Sequence, residues 1–311
     1  MYVPTKRRGG NKLKSGFIAL IGRPNVGKST LMNLFIGEKI SIVSAKPQTT
    51  RNQIRSILTR ENEFQMVFLD TPGIHQPRTK LGDYMVKSAE TALNESDAVL
   101  FMVEPLRKIP EGDAAILERL RRVSSPVFLV INKVDTVDKP AILKVIDGYR
   151  HLYAFRDVVP ISALKADNAE VLLDAVKAVL PEGPMYFPDD MVTDQPERTI
   201  VAEMIREKAL NYLQEEIPHG LAVEIMFMRA REGQDMVDIE ANIYCEKDSH
   251  KAIVIGKNGE MLKKIGGAAR RDAEALLGSR IYLQLWVKVK KNWRDNDFLL
   301  KNFGYNPKDI G

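Results

Sequence analysis

Apolar residues along this chain fall into two kinds of run. Short stretches of strand length, unbroken except for Gln65, stand at residues 17–21, 64–69, 98–103, 127–131 and 158–161. Runs without polar alternation mark strands buried on both faces. Between or after them, apolar residues recur at helical spacing over 83–95, 113–122, 140–149 and 169–180. A further strand at 51–58 is joined to 64–69 by the polar turn at 60–63. Strand and helix therefore alternate. The pattern predicts an α/β domain with a mostly parallel sheet and helices on both faces.

The pattern changes after residue 181. Pro181 to Pro196 holds four prolines and several acids without periodicity, so 182–196 reads as a linker. Helical spacing returns at 198–215, followed by strands at 221–229 and 236–246 around a turn at 231–235. Two helical turns flank Gly256-Lys257-Asn258-Gly259, with apolar Ile253, Val254, Met261, Leu262 and Ile265 pointing to one core. A basic helix at 268–277 and a last strand at 281–289 complete a smaller α+β unit. At 311 residues two domains are the natural expectation. They are placed at 16–181 and 197–311, after a basic arm at 1–15.

The chemistry concentrates at strand ends. Directly after the first apolar run comes Gly22-Arg23-Pro24-Asn25-Val26-Gly27-Lys28-Ser29, then Thr30, which fits the phosphate-loop pattern G-x-x-x-x-G-K-[ST]. Two glycines let successive N–H groups curl toward a pyrophosphate, and the following helix adds its positive end. Lys28 would reach the β- and γ-phosphates, and the Ser29 hydroxyl would bind Mg²⁺. Asp70-Thr71-Pro72-Gly73 closes the run at 64–69, placing a carboxylate for Mg²⁺ and the Gly73 N–H for the γ-phosphate. Asn132-Lys133-Val134-Asp135 closes the run at 127–131. There a carboxylate can accept the guanine N1–H and exocyclic NH₂ together, a donor pair that adenine lacks. Asn132 would bridge base and phosphate loop, the Lys133 stem would cover the ring, and Ser162-Ala163 would offer an N–H to the guanine O6.

Charge adds a second partner. Residues 246–294 carry 12 Lys or Arg against 5 Asp or Glu, a balance of +7 in a chain whose net charge is +5. A polyanion is expected there. Lys257, Lys263, Lys264, Arg270 and Arg271 are the candidate contacts, with Gly256 and Gly259 letting a nucleic-acid backbone come close past Asn258. On the last strand Tyr282, Trp286, Lys288 and Lys290 share one face, either to stack and neutralise RNA or, the expectation preferred here for Trp286, to pack at a domain interface. The single cysteine, Cys245, excludes an internal disulfide and a cysteine-based metal cluster. No apolar run approaches a membrane span, and the arm at 1–15, with five positive charges and no acid, lacks the apolar core of a signal peptide. A reducing cytoplasm is expected.

Taken together, 22–29, Thr49-Thr50, 70–73, 132–135 and Ser162-Ala163 resemble the five G motifs of the translation-factor-like GTPases. That resemblance implies a switch-loop threonine joining Mg²⁺ and γ-phosphate; Thr50 fits, and the adjacent Thr49 stays open. Ras-like proteins carry a water-positioning glutamine after D-x-x-G, where Ile74 stands here. Asn25 matches the asparagine that ligates K⁺ in cation-activated relatives, against the plainer role of a turn residue after Pro24. Slow, potassium-stimulated hydrolysis of GTP to GDP is the consequence, with Lys28, Thr50, Gly73 and Asn25 as the catalytic set. The second half resembles the type II KH domain in its order α-β-β-α-α-β around G-x-x-G. G domain followed by KH domain resembles the bacterial ribosome-associated GTPases. The resemblance implies binding near the 3′ end of 16S ribosomal RNA during 30S subunit assembly, some peripheral association with the inner membrane, and action as a monomer. A GTP-gated RNA-binding module with incidental turnover is the competing reading. A tRNA-modification GTPase would need a further catalytic domain.

Overall fold

The computed structural model describes residues 13–44, 46, 49–73, 77 and 79–306. The expectations for the arm up to residue 12, for Ile74 and for the tail from 307 lie outside these residues.

The N-terminal half is built on strands β1 (Lys14–Gly22), β2 (Ile54–Arg60), β3 (Phe64–Asp70), β4 (Ala98–Val103), β5 (Val127–Ile131) and β6 (Asp157–Pro160). Their order in the sheet is β2-β3-β1-β4-β5-β6, parallel except for β2, which runs antiparallel to β3. The unbroken apolar runs are explained by two cores, one on each face. Ile18, Leu20, Phe68, Leu100 and Met102 point to one side; Ala19, Ile21, Val67, Leu69, Val99 and Phe101 point to the other. Helices α1 (Lys28–Ile36) and α5 (Ala169–Lys177) cover the first face. Helices α2 (Lys80–Asn94), α3 (Glu111–Leu120) and α4 (Lys139–Arg150) cover the second. Local sequence sets the helix starts. Thr79 and Asp138 accept from the N–H groups of Gly82 and Ala141, capping α2 and α4.

The stretch at 182–196 is more than a connection. Gln65, buried in β3, accepts from the N–H groups of Tyr186 and Phe187 and donates to the Phe187 carbonyl. Ile57 donates to Val192 at 2.8 Å, and Thr193 bridges to Ser56. The segment therefore straps the outer edge of β2, a strand edge that would otherwise stand open.

The C-terminal half holds α6 (Glu197–Tyr212), β7 (Ala222–Ala230), β8 (Met236–Cys245), α7 (Asp248–Ile255), α8 (Glu260–Leu277), β9 (Arg280–Val289) and α9 (Asp297–Asn302). β7 pairs antiparallel with β8, and β8 parallel with β9. Helices α6 and α8 pack on one face of this sheet through Ile205, Ala209, Ile265, Ala269, Ile239 and Ile281. The other face leaves Tyr282 50% and Trp286 57% exposed. The expectation that Trp286 packs between domains is corrected: Trp293 does so instead, fully buried, its Nε1–H donating to the Gly220 carbonyl. Around Trp293, Leu81, Tyr84 and Met85 of α2 meet Ala222, Tyr244, Leu300 and Tyr305. The two halves thus share an apolar seam.

Candidate functional site

Four strand ends and the start of α1 enclose a cavity of about 330 Å³. At its floor the phosphate loop turns between β1 and α1. Gly27 sits at φ 104°, where a Cβ would lie 2.1 Å from the Asn132 amide nitrogen, so only glycine fits. Asn25, at φ 67°, adopts the left-handed conformation that asparagine tolerates. The buried Lys28 ammonium caps the loop, donating to the carbonyls of Gly22 and Arg23, each at 3.1 Å. Burial pulls its pKa from 10.5 down to about 8, against the pull of Asp70. An anionic phosphate would raise it again.

One end of the cavity is an oxygen cluster. Ser29 donates to Asp70 Oδ2 at 2.8 Å, and Thr50 Oγ1 lies 3.3 Å from the same oxygen and 3.2 Å from Ser29 Oγ. Asp70 is fully buried, and its Oδ1 has no hydrogen-bond partner among the described residues. Burial raises its pKa, opposed by Lys28 and the hydroxyls. Two hydroxyls and an orphaned carboxylate oxygen are the hard donor set that Mg²⁺ takes, so these residues fit the ion. Thr49 faces elsewhere, its hydroxyl 2.6 Å from the Lys46 carbonyl.

The opposite end carries the base-reading residues. Asp135 accepts from Ser162 Oγ at 2.6 Å, which fixes the carboxylate. Asn132 Nδ2 donates to the Val26 carbonyl at 2.8 Å, and Lys133 Nζ to the Asn25 carbonyl at 2.7 Å. Both residues therefore tie the loop after β5 to the phosphate loop. Of the Ser162-Ala163 pair expected to offer an N–H to the guanine O6, the Ala163 N–H donates to Asn132 Oδ1 at 2.9 Å and the Ser162 N–H to the Asp167 carbonyl at 3.2 Å. A peptide group at a strand end cannot be read as free from sequence when a neighbouring amide can claim it. Thr71, expected in the nucleotide set, turns its hydroxyl inward to the Leu20 carbonyl, and Gly73 packs beneath Pro24.

The G-x-x-G turn lies in the other half, between α7 and α8. Gly256 and Gly259 have φ of 74° and 77°, and a Cβ on Gly256 would sit 2.7 Å from that of Met261. Lys257 and Asn258 are exposed at the tip. Lys263, Lys264, Arg270 and Arg271 are exposed along α8; Lys264 lies 4.3 Å over the Tyr212 ring and Arg270 lies 3.8 Å from Glu274.

Residues 17–133 match the family model described as 50S ribosome-binding GTPase, and residues 216–294 match the KH domain. GTPase Era of Clostridioides difficile is 57% identical over 296 residues, which is 95% of this chain and 99% of that protein. The chain belongs to the Era family of GTPases. GTPase Era of Alkaliphilus metalliredigens is 55% identical over 94% of this chain and 99% of its own length. Two solved Era structures superpose with a TM-score of 0.91 over 94% of this chain. One, 40% identical and covered over 99%, is Era in complex with MgGDPNP and nucleotides 1506–1542 of 16S ribosomal RNA. The other, 39% identical and covered in full, is an Aquifex aeolicus Era variant bound to GDP and aluminium tetrafluoride.

In this Era-family chain the seam between the halves carries charged residues, in contact with the peptide around Thr50, that sequence reading missed. Thr50 is flanked on both sides by contacts from the KH half. The Thr49 carbonyl accepts from Arg206, which is fully buried and also pairs with Glu203. Arg51 donates to the carbonyls of Leu221 and His219 at 2.6 and 2.9 Å and lies over the Trp293 ring. Burial lowers the Arg51 pKa. Glu207 accepts from the Val43 N–H at 2.8 Å and from Lys39 at 2.6 Å. Arg206 and Glu207 sit inside the apolar helix pattern of α6. Charge at helix positions neighbouring Met204, Ile205 and Ala209 is the signal that could have exposed them.

Proposed function

We propose that this protein is a GTP-hydrolysing switch that binds the 3′-terminal region of 16S ribosomal RNA through its KH domain and acts in 30S subunit assembly. The observation that carries the reading is the single cavity joining Ser29, Thr50 and the orphaned Asp70 oxygen at one end to Asp135 at the other. The Era complex with MgGDPNP and 16S nucleotides supports carrying both ligands over.

Lys28 and the loop amides hold the phosphates, and Asp135 selects guanine. Mg²⁺, when bound by Ser29 and Thr50 with Asp70, neutralises charge on the β- and γ-phosphates. Thr50 and Gly73 orient the γ-phosphate for water attack. With Ile74 in place of a water-orienting glutamine, unassisted turnover is slow, within a few tens of the ~10⁻⁴ s⁻¹ scale. Asn25 would hold K⁺, which would supply the positive charge that no glutamine or arginine among the described cavity residues provides. Replacing Na⁺ by K⁺ then raises the rate, and Asn25→Ala removes the response.

GTP state reaches the RNA surface through the seam. Arg206 and Arg51 hold the peptide on either side of Thr50, so a Thr50 engaged with nucleotide favours the docked KH half seen here, with Lys257 and Asn258 exposed. Cytoplasmic residence as a monomer, with peripheral attachment at the inner membrane, completes the reading; cell fractionation and light scattering test it.

The main test pairs hydrolysis with filter binding of the 16S 3′ segment. GTP but not ATP should be hydrolysed, and RNA should be retained with a steep loss on adding salt. ATP hydrolysis equal to that of GTP, or no RNA retention, overturns the proposal.

A further inference from the structure

Outside the cavity lies a charged cluster that the reaction does not account for. Arg23 of the phosphate loop does not line the cavity and reaches two carboxylates. Its Nε donates to Asp113 Oδ1 at 2.9 Å, and its Nη2 to Glu104 Oε2 at 3.3 Å. Asp113 lies in the first turn of α3 and is fully buried; its second oxygen accepts from Tyr149 of α4 at 2.8 Å. Glu104, directly after β4, uses its other oxygen to accept from Lys133 Nζ. The same ammonium donates to the Asn25 carbonyl. Gly112 lets α3 come this close, since a Cβ there would lie 2.9 Å from Arg23 Cδ.

We infer that Glu104 and Asp113 are positioning residues for nucleotide binding: through Arg23 and Lys133 they lock the phosphate loop and the base-covering lysine into one body. The inference rests on the GTP-binding reading above. Lys133 is only half buried, with a long flexible stem, and the Asn25 carbonyl alone offers it a single neutral acceptor. Glu104 supplies the charge that holds it across the base position. Arg23 shares that carboxylate, so residues 23 and 25 of the loop and residue 133 answer to one side chain. Asp113, anchored by Tyr149, keeps the Arg23 guanidinium from swinging to solvent. Burial of Asp113 raises its pKa, opposed by the Tyr149 and Arg23 contacts. Neither carboxylate lines the nucleotide cavity, so both act through other residues.

Stopped-flow release of a fluorescent GDP from the full chain tests this. Glu104→Gln keeps size and loses charge at a partly exposed position. It should release GDP about tenfold faster and raise the KM for GTP in step, with kcat moved less than twofold. Asp113→Asn should act in the same direction, and Tyr149→Phe more weakly. Glu104→Gln combined with Arg23→Met should release GDP no faster than the more affected single variant, because both break one unit. Melting of the nucleotide-free Glu104→Gln protein should match wild type, which a merely structural role would not allow. GDP release unchanged in Glu104→Gln, or fully additive effects in the pair, overturns the inference. Failure of the wild type to bind GDP overturns the GTP reading instead.

Discussion

The two binding regions of this protein are built on opposite principles. The nucleotide cavity is lined by side chains, some buried and some exposed, that are fixed by hydrogen bonds within the protein: Asn132 to Val26, Ser162 to Asp135, Ser29 to Asp70. The turn proposed to meet RNA is exposed at its tip, and its chief features are two glycines at positive φ and a field of lysines and arginines. The first reads a small ligand atom by atom, where one misplaced donor leaves a buried group unpaired. The second accepts a backbone by shape and charge. Damage should therefore be local and chemical in the cavity, steric and electrostatic at the turn.

The contrast breaks most sharply if the turn is blocked. Gly256→Asp with Gly259→Asp puts carboxylates where phosphates approach and strains both positions. RNA affinity should fall at least a hundredfold, about 3 kcal/mol, while GTP affinity, read by calorimetry, stays within twofold. In the cavity the matching change is Asp135→Asn, which turns an acceptor into a donor. GTP affinity should drop roughly fiftyfold and xanthosine triphosphate should gain, with RNA binding retained. Unaltered base preference would remove Asp135 from its role.

A smaller effect follows from Lys28. Its pKa of about 8 in the free protein means that the ammonium is lost as pH rises through that value, whereas bound phosphate keeps it charged. GTP affinity should then fall above pH 8, by up to about tenfold per pH unit, with proton uptake on binding visible as a buffer-dependent heat. In the unfolded chain the group titrates near 10.5, so the unfolded state binds the extra proton between those values. Raising pH across that window relieves a folding penalty from this residue. Folding stability separates the two tryptophans. Trp286→Ala, on the exposed sheet face, should change stability by no more than about 0.5 kcal/mol, whereas Trp293→Ala in the seam should cost about 3–5 kcal/mol in denaturant titration.

Much of the fold was legible because its signals are local. The strands at 98–103 and 127–131 appear with the bounds that their apolar runs give, and the motifs stand at strand ends as the alternation implies. What escaped reading depends on partners far apart in the chain. Nothing near Arg51 announces the carbonyls of His219 and Leu221, and nothing near Gln65 announces Tyr186 and Phe187. Proline-rich composition made 182–196 look like a free linker, although extended proline-containing chain can lie along a sheet edge as readily as cross solvent. Trp286 was expected at the interface that Trp293 holds because residue type and alternation say which side chains share a face, not which face is covered.

Communication between GTP and RNA is proposed to run through the peptide held around Thr50. The most direct measurement is RNA affinity with GDPNP and with GDP, in the wild type and in Arg206→Met. The wild type should bind the 16S 3′ segment about tenfold more tightly with GDPNP, and the ratio should collapse toward one in the variant. Equal affinities in the two wild-type states, or a ratio that survives loss of the Arg206 contact to Thr49, would contradict it.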